Sequence, residues 1–185
     1  MMDKKYKKEL LSIARQAVEA AVRGEKLPEL KSTTEELQTK SGVFVTIKNK
    51  GRLRGCLGQF TSELPLYQTV TEMAVASATQ DPRFLGDPIT PAELSEIDIE
   101  ISVLSPLKRL ENPLDFELGK HGISIKRGLR SGCFLPQVAT ETAWSKEEFL
   151  SHCCWSKAGL QPDAWKDKDT EISVFTAEII EEKDG

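Results

Sequence analysis

The chain has 185 residues, 39% of them hydrophobic and 29% charged, and a net charge of −4. That length suits one domain or two tightly joined subdomains and buries roughly two-thirds of the unfolded surface, so no disulfide or metal is needed to hold a core. The acidic balance argues against a general polyanion binder. Residues 1–26 do carry seven Lys/Arg against four Asp/Glu, but a solvated basic helix end explains that excess better than a nucleic-acid patch.

No secretory signal or membrane-length apolar run is visible, and a cytoplasmic location is the expectation. The cysteines are Cys56, Cys133, Cys153 and Cys154; they form no C-x-x-C pair, so no metal site is expected. His152 beside Cys153 and Cys154 reads as packing, because adjacent helical residues point apart. No cofactor is called for.

The first element is a helix with Tyr6, Leu10, Leu11, Ala14, Ala17, Val18 and Ala21 on one face; Gly24 suits its C-terminal cap and Pro28 blocks continuation. Thr33 and Glu36 have capping-box spacing and predict one short helical turn. A hairpin follows, in which Val43, Val45 and Ile47 alternate with Phe44, Thr46 and Lys48. Its turn falls at Asn49-Lys50-Gly51, and the return strand begins at Arg52. Pro65 opens a helix with Leu66, Val70, Met73, Ala74 and Ser77 on its apolar face, ended by Asp81-Pro82-Arg83-Phe84.

Thr90-Pro91-Ala92-Glu93 reads as a capped helix start. In the strand after it, Ile97, Ile99, Ile101 and Val103 face one way, and Asp98, Glu100 and Ser102 the other. Ile123 and Ile125 mark another strand. Ser145 and Glu148 form a second capping box for a helix through Phe149, Leu150 and Cys153 that closes near Gly159, and one last strand runs from Ile172 to about Ile180. Strands and helices alternate without a regular βαβ rhythm, so the expected class is α+β, mainly antiparallel sheets with flanking helices.

The strand at Arg52 carries the candidate chemistry. If its residues alternate strictly, Leu53 and Leu57 share one face while Arg52, Arg54 and Cys56 share the other. A cysteine on a cationic face is the usual setting of a reactive thiol, and Gly55 and Gly58 permit a bulge or a close approach by a ligand. A bulge at Gly55 overturns the shared face. Cysteine is as often a small packed hydrophobe, so the structural and functional readings stand nearly level on these residues.

Leu53-Arg54-Gly55-Cys56-Leu57-Gly58 resembles the six-residue signature of the AMMECR domain family, whose usual form has Ile at the position of Leu57. Gly42-Val43-Phe44-Val45-Thr46, Asp81-Pro82-Arg83-Phe84, Glu100-Ile101-Ser102-Val103-Leu104-Ser105-Pro106, Leu135-Pro136-Gln137-Val138-Ala139 and Lys157-Ala158-Gly159-Leu160 are similar to further family segments in family order. The resemblance spans nearly the whole chain and is strongest to prokaryotic members of the AmmeMemoRadiSam system. It implies an α+β fold with a larger and a smaller subdomain, the signature near the cleft between them, and Memo-like and radical-SAM proteins as partners. The family's biochemical activity is not settled, so only Leu53 to Gly58 transfer, as a presumed functional motif.

Among weaker candidates, Lys126-Arg127-Gly128-Leu129-Arg130-Ser131-Gly132 lacks the Walker pattern and reads as a solvated hairpin turn rather than an anion nest. His121 is a possible general base, with a surface-loop histidine as the plainer reading. Asp81 and Arg83 pair with each other, cap the preceding helix or serve a cleft; Trp144, Trp155 and Trp165 cover core edges. Three functional expectations result. The first is a small-molecule or modified-peptide site with Cys56 as nucleophile or redox thiol and Arg54 as anion clamp, helped by Leu53, Gly55, Leu57, Gly58, Arg83 and His121. The second is a non-catalytic adaptor for the Memo-like and radical-SAM partners. The third, nucleic-acid association, is disfavoured by the acidic charge.

Overall fold

The computed structural model describes residues 2–29, 31–32 and 34–182. Its elements fall into two compact units: residues up to Leu104 together with those from Glu178 onward, and Ser105–Ala177.

The first unit opens with α1 (Lys4–Arg23), capped by Asp3, whose side chain accepts from the Lys5 N–H, and by Gly24 in the left-handed region at φ +67°. Its apolar stripe buries Leu10, Ile13, Ala14, Ala17 and Val18, as the 3.6-residue spacing requires. A short 3-10 turn, Glu35–Gln38, follows with Thr34 at its cap; the Thr33 half of the expected capping box lies outside the described residues. Strands β1 (Val43–Asn49) and β2 (Arg52–Gln59) form the hairpin. Both connecting residues, Lys50 and Gly51, have positive φ, the geometry of a tight hairpin whose twist matches its strands.

Helix α2 (Leu66–Thr79) packs on β1, β2 and α1. It buries Leu66, Val70, Ala74 and Ser77. The Thr90 capping box forms, but it opens a 3-10 turn, Pro91–Ser95, rather than a full helix. Strand β3 (Ile97–Leu104) pairs antiparallel with β1, Ile101 opposite Val45. With β8 (Ala177–Glu181) the sheet order is β2-β1-β3-β8, so β2 is an edge strand. The core of this unit joins the sheet residues Val43, Val45, Ile47, Ile99 and Ile101 to the apolar faces of the two helices.

The second unit holds β4 (Lys108–Arg109), β5 (Gly122–Arg127), β6 (Arg130–Phe134) and β7 (Glu171–Phe175) in the order β4-β7-β5-β6. Short α3 (Pro136–Glu141) precedes α4 (Lys146–Ser156), which starts on the Ser145–Glu148 capping box. Phe149, Leu150, Cys153 and Cys154 of α4 are buried with Ile123, Ile125, Ile172 and Val174. The basic glycine-rich segment is the β5–β6 turn, with Gly128 at φ +59° and Leu129 fully exposed at its tip.

The single strand expected over Ile172 to Ile180 is two strands in two sheets, β7 and β8, separated at Thr176. The break falls where the pairing changes sheet: Val174 lies opposite Lys108 of β4, whereas Ile180 joins the core of the first unit. The fold is α+β with antiparallel pairing, as the element pattern predicts.

Candidate functional site

The strand β2 departs from strict alternation. Ile47 lies opposite Gly55 and Lys48 opposite Leu53, so Arg54 is an extra residue with no cross-strand partner. A bulge of this kind re-aims a side chain. Here it turns Arg54 inward, and the expected shared face of Arg54 and Cys56 is lost.

Arg54 is 4% exposed. Its Nη1 donates to Asp87 Oδ2 at 2.7 Å, its Nε to Glu93 Oε1 at 3.1 Å and its Nη2 to the Pro88 carbonyl at 3.2 Å. Burial works against its charge, but the bonds to Asp87 and Glu93 outweigh that and hold it above its ordinary pKa. Glu93 is held down to about 2, first by the Thr90 backbone N–H, against the opposing effect of burial, and then by Asn49 and Arg54. One carboxylate therefore caps the Pro91–Ser95 turn and neutralises a buried cation. The anion-clamp role expected of Arg54 does not fit this geometry, because its guanidinium is already occupied by protein oxygens.

The glycines admit close neighbours. A Cβ on Gly55 would lie 1.9 Å from the Ser77 carbonyl oxygen of α2, and one on Gly58 would lie 2.3 Å from the Phe44 ring. Phe44 in turn meets Phe60 edge-on at 5.3 Å. Leu57 is half-buried, and its N–H donates to Ser77 Oγ at 2.9 Å, while the Ser77 hydroxyl donates to the Val45 carbonyl at 2.8 Å. Leu53 is half-buried, opposite Lys48.

Cys56 is half-buried, and the Thr46 hydroxyl opposite donates to its Sγ at 3.3 Å. Its backbone is clipped by the segment after α2. The Cys56 N–H donates to Asp81 Oδ2 at 2.9 Å, and its carbonyl accepts from Arg83 Nη2 at 3.1 Å. Asp81 and Arg83 thus serve this edge as a neighbouring strand would.

Asp81 is 3% exposed and grips the Arg83 fork, Nε to Oδ1 at 2.9 Å and Nη2 to Oδ2 at 2.6 Å. The Arg83 side chain holds the Asp81 carboxyl down to about 2 against the effect of burial, with the Cys56 and Arg83 backbone N–H groups adding to the effect. Arg83 itself is held above its ordinary pKa by Asp81 first, against burial, and also by charge and hydrogen bonding with the Cys56 side chain. Its side chain remains 53% exposed, over the Phe84 ring at 5.5 Å. Arg83 is the cation tied to Cys56, through the Cys56 carbonyl.

The other candidates belong to the chain's second unit. His121 is half-buried, and its Nδ1 accepts the Glu117 N–H at 3.0 Å within its own loop. His152 stacks on Trp144 at 4.0 Å between centroids. Cys153 and Cys154 are fully buried; burial pushes both thiols up, Cys154 to about 11. No cluster of three or more metal-ligating side chains occurs among the described residues. Asp87, Ser77 and Thr46 were not singled out from sequence. Each acts across a distance in the chain that no local pattern reveals, whereas the second role of Glu93 was hidden behind its visible one as a cap.

An edge strand bulged at an arginine, a half-buried thiol and a carboxylate–guanidinium clip on one α+β unit define a class that the whole chain supports. The AMMECR1 family model matches residues 11–180, and the chain belongs to that family. Protein MK0488 of Methanopyrus kandleri is 46% identical, over 95% of this chain and 87% of its own length. Protein TK0174 of Thermococcus kodakarensis is 42% identical, over 94% and 89%. The crystal structure of the uncharacterised protein PH0010 from Pyrococcus horikoshii superposes with a TM-score of 0.88 at 39% identity, covering 98% of this chain and 94% of that one.

Proposed function

We propose that the first unit carries a thiol-centred site for a small anionic molecule or modified peptide, with Cys56 as the nucleophile and Arg83 as the anion-recognising group. The observation that carries this reading is the half-exposed guanidinium pinned to the backbone of a half-buried cysteine. Arg83 has two nitrogens committed to Asp81 and the Cys56 carbonyl, and over half of its side chain faces solvent. A guanidinium held through Nε and Nη2 loses little freedom when its remaining Nη1 donors bind a carboxylate or phosphate. Cationic, partly exposed surroundings are where reactive cysteines occur.

Alkylation of Cys56 by iodoacetate and by iodoacetamide tests the reading. In each case the sulfur forms an S–C bond and iodide leaves, and the two reagents differ in charge. Relative to a free thiol, Cys56 should favour iodoacetate by about fivefold, the equivalent of about 1 kcal/mol for a half-exposed charge pair. Arg83→Gln should abolish that preference. Failure of Cys56 to label with either reagent, or a preference unchanged in Arg83→Gln, refutes the proposal. Capture of a Memo-like or radical-SAM partner that is lost on Arg83→Gln and kept on Cys56→Ser would instead favour the adaptor role.

A further inference from the structure

We infer that the second unit holds a separate binding groove for a small organic anion, a carboxylate or phosphate ester with an apolar body. The groove has a volume of about 560 Å³ and lies between the segment that follows β4 and the segment joining Trp165 to β7. That size is in the range of small-molecule sites.

Its walls are fixed by backbone bonds. The Leu110 N–H donates to the Ile172 carbonyl at 2.9 Å, which continues the β4–β7 pairing past Arg109. On the other side the Thr170 N–H closes a turn on the Asp167 carbonyl at 3.0 Å. The indole of Trp165 is held by a bond from Nε1 to Ser151 Oγ at 3.0 Å. Leu110, Pro113 and Trp165 therefore offer an apolar surface that needs no rearrangement to meet a ligand.

The unpaired charges on the groove are mainly positive. Lys168 forms no ion pair among the described residues. Lys166 lies over the Trp165 ring at 5.1 Å and also lines the groove. Arg109 reaches Glu171 only at 3.9 Å, with both side chains more than half exposed, a pair worth little. Of the two lining carboxylates, Asp167 is tied to Arg127 at 2.6 Å, which leaves Glu111 as the opposing charge.

The second observation is Thr170. This groove residue is 8% exposed, and its hydroxyl has no hydrogen-bond partner among the described residues. A buried hydroxyl left unpaired is costly and uncommon in native proteins. The hydroxyl is shielded in this structure, and a change of rotamer about its one side-chain torsion would bring it onto an anion in the groove. An anionic ligand would satisfy the hydroxyl and Lys168 together.

The test uses the full chain with isotope-labelled backbone amides, titrated with phenyl phosphate and benzoate, and with phenol as the uncharged control. Saturable shifts confined to residues 109–113 and 165–172 with either anion, and absent with phenol, support the site. Saturation by one anion alone decides between phosphate and carboxylate. Lys168→Ala should weaken binding about fivefold or more, and Thr170→Val about threefold, with the amide spectrum otherwise native. Equal shifts with phenol, no saturation with either anion, or a Thr170→Val chain that is more stable and binds as before overturns the inference.

Discussion

Replacing Asp81 by Asn tests the clip that positions Cys56. Two oxygens accept four N–H donors here, from Arg83 N and Nε on Oδ1 and from Cys56 N and Arg83 Nη2 on Oδ2. An amide supplies one acceptor and turns an NH₂ toward the other donors. The charge contribution follows from the carboxyl being held at about 2 instead of 3.8. At 1.36 kcal/mol per pH unit that is about 2.5 kcal/mol, reduced to about 1–2 kcal/mol because Arg83 is half exposed to water. Stranding the Cys56 N–H adds about 1 kcal/mol, for an expected loss of about 2–3 kcal/mol at neutral pH.

The pH dependence has a definite sign. A carboxyl depressed in the folded state stabilises fully above its unfolded pKa of 3.8, and that stabilisation is lost as pH falls through about 2. The gap between wild type and Asp81→Asn should therefore be constant from neutrality to about pH 5 and narrow by its charge component below about pH 4. Urea unfolding followed at the β2 amide signals reads this in the correct unit. A gap under about 0.5 kcal/mol at neutral pH, the scatter of ordinary surface changes, refutes the reasoning. So does a gap that does not narrow in acid.

Arg54→Ala leaves Glu93 without its cation and Asp87 with only the exposed Arg52, and should cost about 2–4 kcal/mol in urea unfolding, more than Arg54→Lys, which keeps the charge and loses the fork. Gly55→Ala should unfold the first unit or force β2 off α2, at a cost above about 3 kcal/mol, because backbone oxygen cannot yield as a flexible side chain can; retained β2 amide signals would contradict this. Ser145→Ala removes the α4 cap and should cost about 1 kcal/mol, measured at the α4 amides, with the first unit unaffected.

Local chemistry made α1, α2, α4, the first hairpin and both reciprocal caps legible, but not the six-residue α3. Gly24 in the left-handed region, Lys50-Gly51 at a tight turn and Ser145 with Glu148 each act within a few residues of themselves. The sheet partners were less visible. Strand β4 has two residues and no period to detect. The division of residues 171–181 between two sheets rests on pairing with different strands, which no local pattern shows. At the site, sequence marked Cys56 and the Asp81–Arg83 pair but placed Arg54, which is buried, on the face of the cysteine. Gly55 was a visible warning of a bulge, while the burial of Arg54 depends on Asp87 and Glu93, 33 and 39 residues away.

The signature Leu53 to Gly58 therefore mixes two kinds of requirement. Arg54 neutralises two carboxylates, Gly55 lets α2 approach and Gly58 receives the Phe44 ring, so all three are needed even by a chain with no chemistry at this place. The side chain of Cys56 is different. Thr46 donates one hydrogen bond to it, and a serine hydroxyl accepts the same bond in nearly the same space. Cys56→Ser should thus leave the fold and the Asp81–Arg83 clip intact while removing the thiol. Loss of function in that variant isolates chemistry from architecture. Loss in Gly55→Ala or Arg54→Ala cannot, because the strand that presents the thiol is lost with it.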